Sequence, residues 1–570
     1  MTRWIWFTFC AAAGLGMLVC GLLVPVYLQA VDVSVVQKAG RDTPGLIARG
    51  LELAGGNNLG AAQLVFQAAQ TEGIQEHVGL GQAITNLTIL HPEWQAWGGG
   101  ETRLEKLFAT GPGRTNSNPE PFTEFIVRLE NREKALEILS ASPHAEVQEL
   151  LRCRALTNTV IFSPSQSSSG QAFDAALCIC GLLIEDDRLT PELRHAAGAL
   201  ALDANLGRSP QALEQTLLDF MSLGQRLNWN QLGIFTGRIK DAATLHSLAD
   251  MVRKPGDQLP VLFAAVELSG GPGDVARFLA NFSQTGSKNL GTSLQFGAGG
   301  VNELLSRDQR LTNSGFRRRL AAYDPFGAFF NFASDYSWRA PRLAMAMKWV
   351  MYLAGGFFVA MAFHFAKPAV SSLERPLQVR GFHVAREFLF ALGFLFVVLL
   401  LSEPFLAQES QKVDVPFRLR LPMAGGAVRA GSAIEKPNVM NQTILLTLLL
   451  FFVLQGLIYV SCIVKLAEIR RQKVPPRIKL KLLENEDHLF DAGLYLGFVG
   501  TIISLILVSM GVIKFSLMAA YSSTSFGIVF VCVFKIFHLR PARRKLLLEA
   551  ETATAEPAAR AAARQFATTA

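Results

Sequence analysis

AGLYLGFVGTIISLILVSMGVI (492–513), Lys514 and FSLMAAYSSTSFGIVFVCVF (515–534) follow one another with a single charge in 43 residues. As one helix this stretch would be about 64 Å long, roughly twice the ~30 Å hydrocarbon thickness of a bilayer. It reads as two spans folded back on each other, with Gly511, Lys514 and Ser516 supplying the turn. Four other uncharged runs approach the ~18–20 residues that a crossing needs. They are 4–31, 349–366 with His364 near its end, 388–402, and 443–464. The third reaches full length when Glu403 and Pro404 sit at the interface and 405–407 continue it. The expected fold class is therefore all-α, a polytopic membrane protein with about six transmembrane helices.

Composition agrees. Half of the 570 residues are hydrophobic, mean hydropathy is +0.27 and only 18% are charged, against roughly a quarter in soluble domains. These values exclude a disordered chain, a collagen-like chain and a small disulfide scaffold. Residues 31–341 carry 27 Lys+Arg and 32 Asp+Glu, a net of −5, which leaves +13 for the remainder of a chain with net charge +8. That excess lies between apolar runs, so it reads as orienting charge around membrane spans and not as a nucleic-acid patch. The 465–491 loop holds seven basic residues and the 367–387 loop four, and Lys535, Arg540, Arg543, Arg544 and Lys545 follow the last span. Six spans place all three segments in the cytoplasm with both termini, and the 408–442 loop outside. Leu28-Gln29-Ala30 is a poor cleavage site and the first run is long for a signal peptide, so residues 1–31 read as an uncleaved anchor. The expected location is the inner membrane.

Residues 32–340 are then exported, and they read as mostly helical. Apolar positions recur at i, i+3, i+4 over 46–54, 61–69, 122–139, 147–156, 173–184, 193–206, 213–223 and 275–282. Thr190-Pro191 and Ser209-Pro210 mark helix starts, and Asp274 reads as an N-cap. Short antiparallel helices joined by tight turns suggest a tetratricopeptide-like α-solenoid, with an irregular bundle as the alternative. Aromatic residues at 323, 326, 329, 330, 332, 336 and 338 suggest an interfacial collar.

Chemistry is scarce. Cys178 and Cys180 point about 200° apart on a helix, so Cys153, Cys178 and Cys180 read as buried thiols. The nine histidines show no metal-ligand spacing, and no phosphate loop or nucleophile elbow is present. Gly98–Gly100 and Gly299–Gly300 read as turns. No catalytic, cofactor or metal residue is assigned, and the chain reads as a non-enzyme. The basic 473–481 segment, followed by Glu484, Glu486, Asp487 and Asp491, reads as an orientation signal in contact with anionic lipid. The tail, 539–570, begins basic and ends Ala-rich from 549, where it reads as a weak helix or disordered chain.

The hairpin at 492–538 carries two stripes of small residues, Gly493, Gly497, Gly500, Ser504 and Gly511, then Ser516, Ala520, Ser523 and Gly527, bordered by Thr501 and Thr524. Small residues let backbones approach closely, and in lipid such packing drives helix association. The two threonines fall at similar depth if the chain turns near Lys514. Leu496-Gly497-Phe498-Val499-Gly500-Thr501 resembles the L-G-x-x-G-T signature of the MotA/TolQ/ExbB proton-channel family, and Ala520–Gly527 is similar to the small-residue segment of that family's last span. The resemblance covers 484–550. It implies pore-facing roles for Thr501 and Thr524, a homo-oligomer, and a single-span partner with an intramembrane Asp. The first expectation for function is an envelope scaffold that recruits proteins through the exported domain, and the alternative is a proton-conducting energy transducer of the resembled kind.

Overall fold

The computed structural model describes residues 2–75, 77–100, 120–162, 169–208, 210–254, 258–366, 382–403, 442–509 and 517–552. It is mostly helical. The chain divides into two compact units, Ala30–Asn313 and the remainder.

In the first unit, helices form over Leu46–Gly55, Leu59–Thr71, Ser169–Glu185, Pro191–Asn205, Gln211–Gly224 and Pro272–Asn281, where the apolar periodicity placed them. Residues 175–184 are all buried. A helix apolar all round must sit at the centre of its neighbours, and this explains why Cys178 and Cys180 are both enclosed although they point apart. The three body cysteines are free thiols, and burial raises Cys153 to about 11 and Cys178 and Cys180 to about 12.

Three local expectations are corrected. The 122–139 helix breaks at Arg128, whose extended backbone separates Phe122–Val127 from Leu129–Ser140. The freed carbonyls of Val127 and Phe125 accept from Arg132 (2.7 Å) and Asn131 (2.9 Å). Asp274 is not an N-cap. Pro272, with φ already fixed, starts that helix one turn earlier after Gly271, and Asp274 pairs with Arg277 at 2.7 Å. Gly299 and Gly300 are not a turn but lie inside the helix Gly297–Arg307. A Cβ on Gly299 would collide with the Ala39 carbonyl of the helix Val33–Gly40, so these glycines permit a close crossing. Thr190 caps Pro191–Asn205 as expected, accepting from Leu193 N at 3.3 Å, whereas Ser209 lies outside the described residues.

The periodicity did not mark His77–Leu90, Trp229–Thr236, Ala242–Arg253, Leu259–Leu268 or Gly286–Leu294. It also did not mark the parallel ladder of β1 (Ala30–Asp32) and β2 (Arg310–Thr312), which ties the two ends of the body together. Both strands have only three residues, too few to alternate.

The helices of the second unit are α1 (Thr2–Leu23), α2 (Gly315–Ala321), α3 (Phe326–Arg339), α4 (Pro341–Ala366), α5 (Phe382–Ser402), α6 (Gln442–Arg471), α7 (Pro476–Asn485), α8 (Asp487–Phe490), α9 (Ala492–Ser509) and α10 (Leu517–Phe534). Among the described residues, four helical segments are long and apolar enough to cross a membrane: Arg3–Leu23, Pro341–Ala366, Phe451–Arg471 and Tyr521–Thr552. The chain is therefore a membrane-associated helical protein. The expected collar divides in two. Tyr323, Phe332 and Trp338 are exposed, while Phe329 and Tyr336 pack against Val24, Val26 and Ala344. The expected 408–442 loop up to Asn441, the turn expected near Lys514 and the tail beyond 552 lie outside the described residues.

Candidate functional site

The antiparallel contact of α9 with α10 places most of the singled-out residues together. A Cβ on Gly497 would stand 2.8 Å from the Ser523 carbonyl, and one on Gly527 would stand 2.6 Å from the Gly493 carbonyl. Only glycine permits that approach without moving backbone. A Cβ on Gly500 would meet the Ser523 hydroxyl. At this closest point the two hydroxyls meet, with Thr501 Oγ1 and Thr524 Oγ1 2.6 Å apart. Each also lies within hydrogen-bonding distance of the Gly497 carbonyl, at 3.0 and 3.1 Å. A hydroxyl has one proton to donate, so the hydroxyl–hydroxyl contact and both contacts to the carbonyl cannot be made at once. Thr501, Ser522 and Ser523 are buried. Ser504's side chain lies outside the described residues.

Sequence reasoning missed Gln455, the one amide in the 443–464 run. It is 1% exposed, its Nε2 donates to the Gly493 carbonyl at 3.0 Å, and its Oε1 accepts no hydrogen bond. Its isolation in an apolar run was the available signal. Together these groups form a three-helix polar knot of α6, α9 and α10. The knot holds no ionisable side chain, so it can orient protons and dipoles but cannot carry a net charge.

A second polar cluster, also missed, joins α1, α2, α4 and α5. Lys348 lies inside α4, not before it, and is 1% exposed. Its Nζ donates to the Val26 carbonyl at 2.7 Å, lies 3.6 Å from Glu403 Oε1, and stands 4.3 Å over the Tyr27 ring. Glu403 Oε2 accepts from Leu28 N at 2.9 Å. The Arg317 guanidinium lies 4.7 Å over the same ring, and burial lowers it to about 10, with Tyr352 and Glu403 pulling the other way. Residues 24–29 leave helical geometry, and backbone groups near lipid must find partners. Lys348 and Glu403 supply them.

At the opposite ends of the same two helices, His364 stands 4.0 Å from Glu387. Sixteen residues separate Lys348 from His364, and sixteen separate Glu387 from Glu403. That spacing is about 24 Å of helix, slightly less than the ~30 Å hydrocarbon layer. Polar contacts therefore brace α4 against α5 near both ends of the pair, and glycines allow close packing between those ends. A Cβ on Gly355 would stand 3.2 Å from the Gly14 carbonyl of α1.

In the body, three buried carboxylates act as struts. Glu214 accepts from Val160 N, Ile161 N and Phe162 N at 2.5–3.1 Å. Glu267 binds Arg49 at 2.9 Å and Arg238 at 3.2 Å. Asp219 binds Arg253 and, at 3.1 Å, His246. Among the described residues no cluster of His, Cys, Asp or Glu could hold a metal ion. Compared with protein-family profiles, curated proteins and solved structures, the chain matches none.

Proposed function

We propose that this chain is a non-enzymatic integral inner-membrane scaffold of six spans, with an exported, solenoid-like body that recruits protein partners. The observation that carries this reading is the helix His77–Leu90. It contains no Asp, Glu, Lys or Arg, yet Val78, Ile89 and Leu90 are 59%, 73% and 69% exposed, with Gln82, Thr85 and Asn86 between them on the surface. A neutral, partly apolar helix face is the usual core of a protein–protein contact. The body carries net charge −7 over residues 30–313, so such a face stands out within an otherwise acidic domain. The packing of α1 along α4 and the pinning of residues 26–28 support an uncleaved anchor. α5 and α9 supply the two spans beyond the four that length and composition mark among the described residues.

A photo-crosslinking residue at Ile89 in cells tests the reading. A discrete protein adduct that disappears with Val78→Asp and Leu90→Asp supports it. No adduct, or the same adducts from a crosslinker at the charged position Glu133, contradicts it.

One observation favours the second reading, a proton-conducting transducer working with a single-span subunit that carries an intramembrane Asp. The threonines implied by the resemblance do meet at the hairpin contact. Against it, the contact they make holds no ionisable side chain. Proton flux in proteoliposomes that Thr501→Val abolishes, with assembly intact, would put the transducer first.

A further inference from the structure

α10 continues through a π-helical turn, Lys535–Leu539, and on to Thr552. The 18 residues of Leu517–Phe534 amount to about 27 Å, a hydrocarbon thickness, so the chain beyond Lys535 leaves the lipid core. One side of this extension is covered. Leu539, Ala542 and Leu546 pack with Leu483 of α7, Phe490 of α8 and Leu466 of α6. The opposite side is open and mixes basic with apolar residues. Ile536, Arg540, Arg544 and Leu547, spaced at helical-face intervals, border a groove of about 980 Å³ that Lys545 and Leu548 extend. Ile536, Leu547 and Leu548 are 56%, 52% and 57% exposed.

The ion pairs here are selective. Lys535 binds Asp491 at 2.7 Å and Arg543 binds Asp487 at 2.5 Å. These acids belong to the acidic run after the basic 473–481 segment, so part of that run neutralises the extension of α10. Asp487 also lines the groove but is engaged by Arg543, which leaves Arg540, Arg544 and Lys545 as an excess of positive charge along it. Depth fits a headgroup. Arg540 is six residues past Phe534 and Arg544 ten, about 9 and 15 Å of helix, and long basic side chains reach back toward the interface. The headgroup layer occupies the first ~5–8 Å outside the hydrocarbon.

We infer that this groove binds the phosphodiester headgroup of an anionic phospholipid, with Arg540, Arg544 and Lys545 reaching back to hold the phosphate and Ile536, at the hydrocarbon edge, lying along the upper acyl chains. The inference goes beyond the scaffold reading and rests only on α10 crossing the membrane.

The test uses the full chain purified in a mild detergent, with native mass spectrometry counting retained phosphatidylglycerol and phosphatidylcholine. Wild type is expected to retain phosphatidylglycerol preferentially. Arg540→Gln, Arg544→Gln and Lys545→Gln together should weaken that retention about 100-fold, each charge contributing about fivefold. The charge-keeping triple exchange (R540K, R544K, K545R) should restore it, and Lys254→Gln with Lys288→Gln, both exposed in the body, should leave it unchanged. Equal retention of the two lipids, equal retention by the Gln triple variant, or complete competition by inorganic phosphate overturns the proposal. Flotation of the same proteins with phosphatidylcholine vesicles checks membrane insertion separately. Failure there would strike the membrane crossing of α10 and not the groove.

Discussion

The body and the membrane bundle solve one problem in opposite ways. Both bury polar groups that must be satisfied. The body does so with full charges deep in its core, as in Glu267 between Arg49 and Arg238, Asp219 against Arg253, and Glu214 under three backbone N–H groups. The bundle keeps its titratable side chains, the Lys348–Glu403 pair and the His364–Glu387 contact, near the two ends of α4 and α5. Its interior relies on glycine contacts, an amide and paired hydroxyls. Water explains the difference. Arg49, Arg238 and Arg253 are 23–31% exposed, so the Glu267 and Asp219 struts relay charge from the core to solvent. A helix in lipid has no such outlet away from the interfaces.

If the contrast is right, the largest loss should come from cutting a body strut. Glu267→Ala strands two arginines and is expected to cost about 3 kcal/mol, read as a fall in the urea midpoint of Trp229 fluorescence. Next, Gly497→Leu forces α9 from α10 and should cost about 2–3 kcal/mol, read as thermal unfolding in detergent with loss of the compact hairpin. Lys348→Met alone should cost about 2 kcal/mol, while Lys348→Met with Glu403→Gln should recover most of it, because an isolated buried charge is worse than none. A double variant as weak as the single would mean that Lys348 serves the Val26 carbonyl more than it serves Glu403. Thr524→Val should cost only about 0.6–1.7 kcal/mol, the range for hydrogen bonds between membrane helices.

The smallest effect is alkaline. The folded-state values of Cys153, Cys178 and Cys180 are raised to about 11–12 from an ordinary 9. The unfolded chain therefore ionises these thiols first. Their contribution is intact below pH 9 and is lost as pH rises through 11–12. The body's urea midpoint should fall over that window, and less so with Cys178→Ala and Cys180→Ala. A flat profile would place these thiols nearer to water than their burial implies.

The apolar runs were legible because twenty residues without a charge have few other uses, and the long body helices because their periodicity is strong. Helix His77–Leu90 escaped because its solvent face is neutral, which removes the polar half of the amphipathic pattern. Gly299 and Gly300 resembled a turn because sequence does not show a crossing helix. The hairpin's small residues and threonines were legible from spacing. Gln455 and Lys348 were not, since their partners come from other helices and from backbone 38 and 322 residues away in the chain. Glu403 was read as an interfacial charge, but sequence gave no reason to join it to Leu28.

The account stands on the body lying across the membrane from both chain ends. Alkaline phosphatase or green fluorescent protein inserted at the exposed turn Gly207–Arg208 reports this directly. We predict active phosphatase and dark fluorescent protein. Bright fluorescence with inactive phosphatase would contradict the exported body and the scaffold built on it.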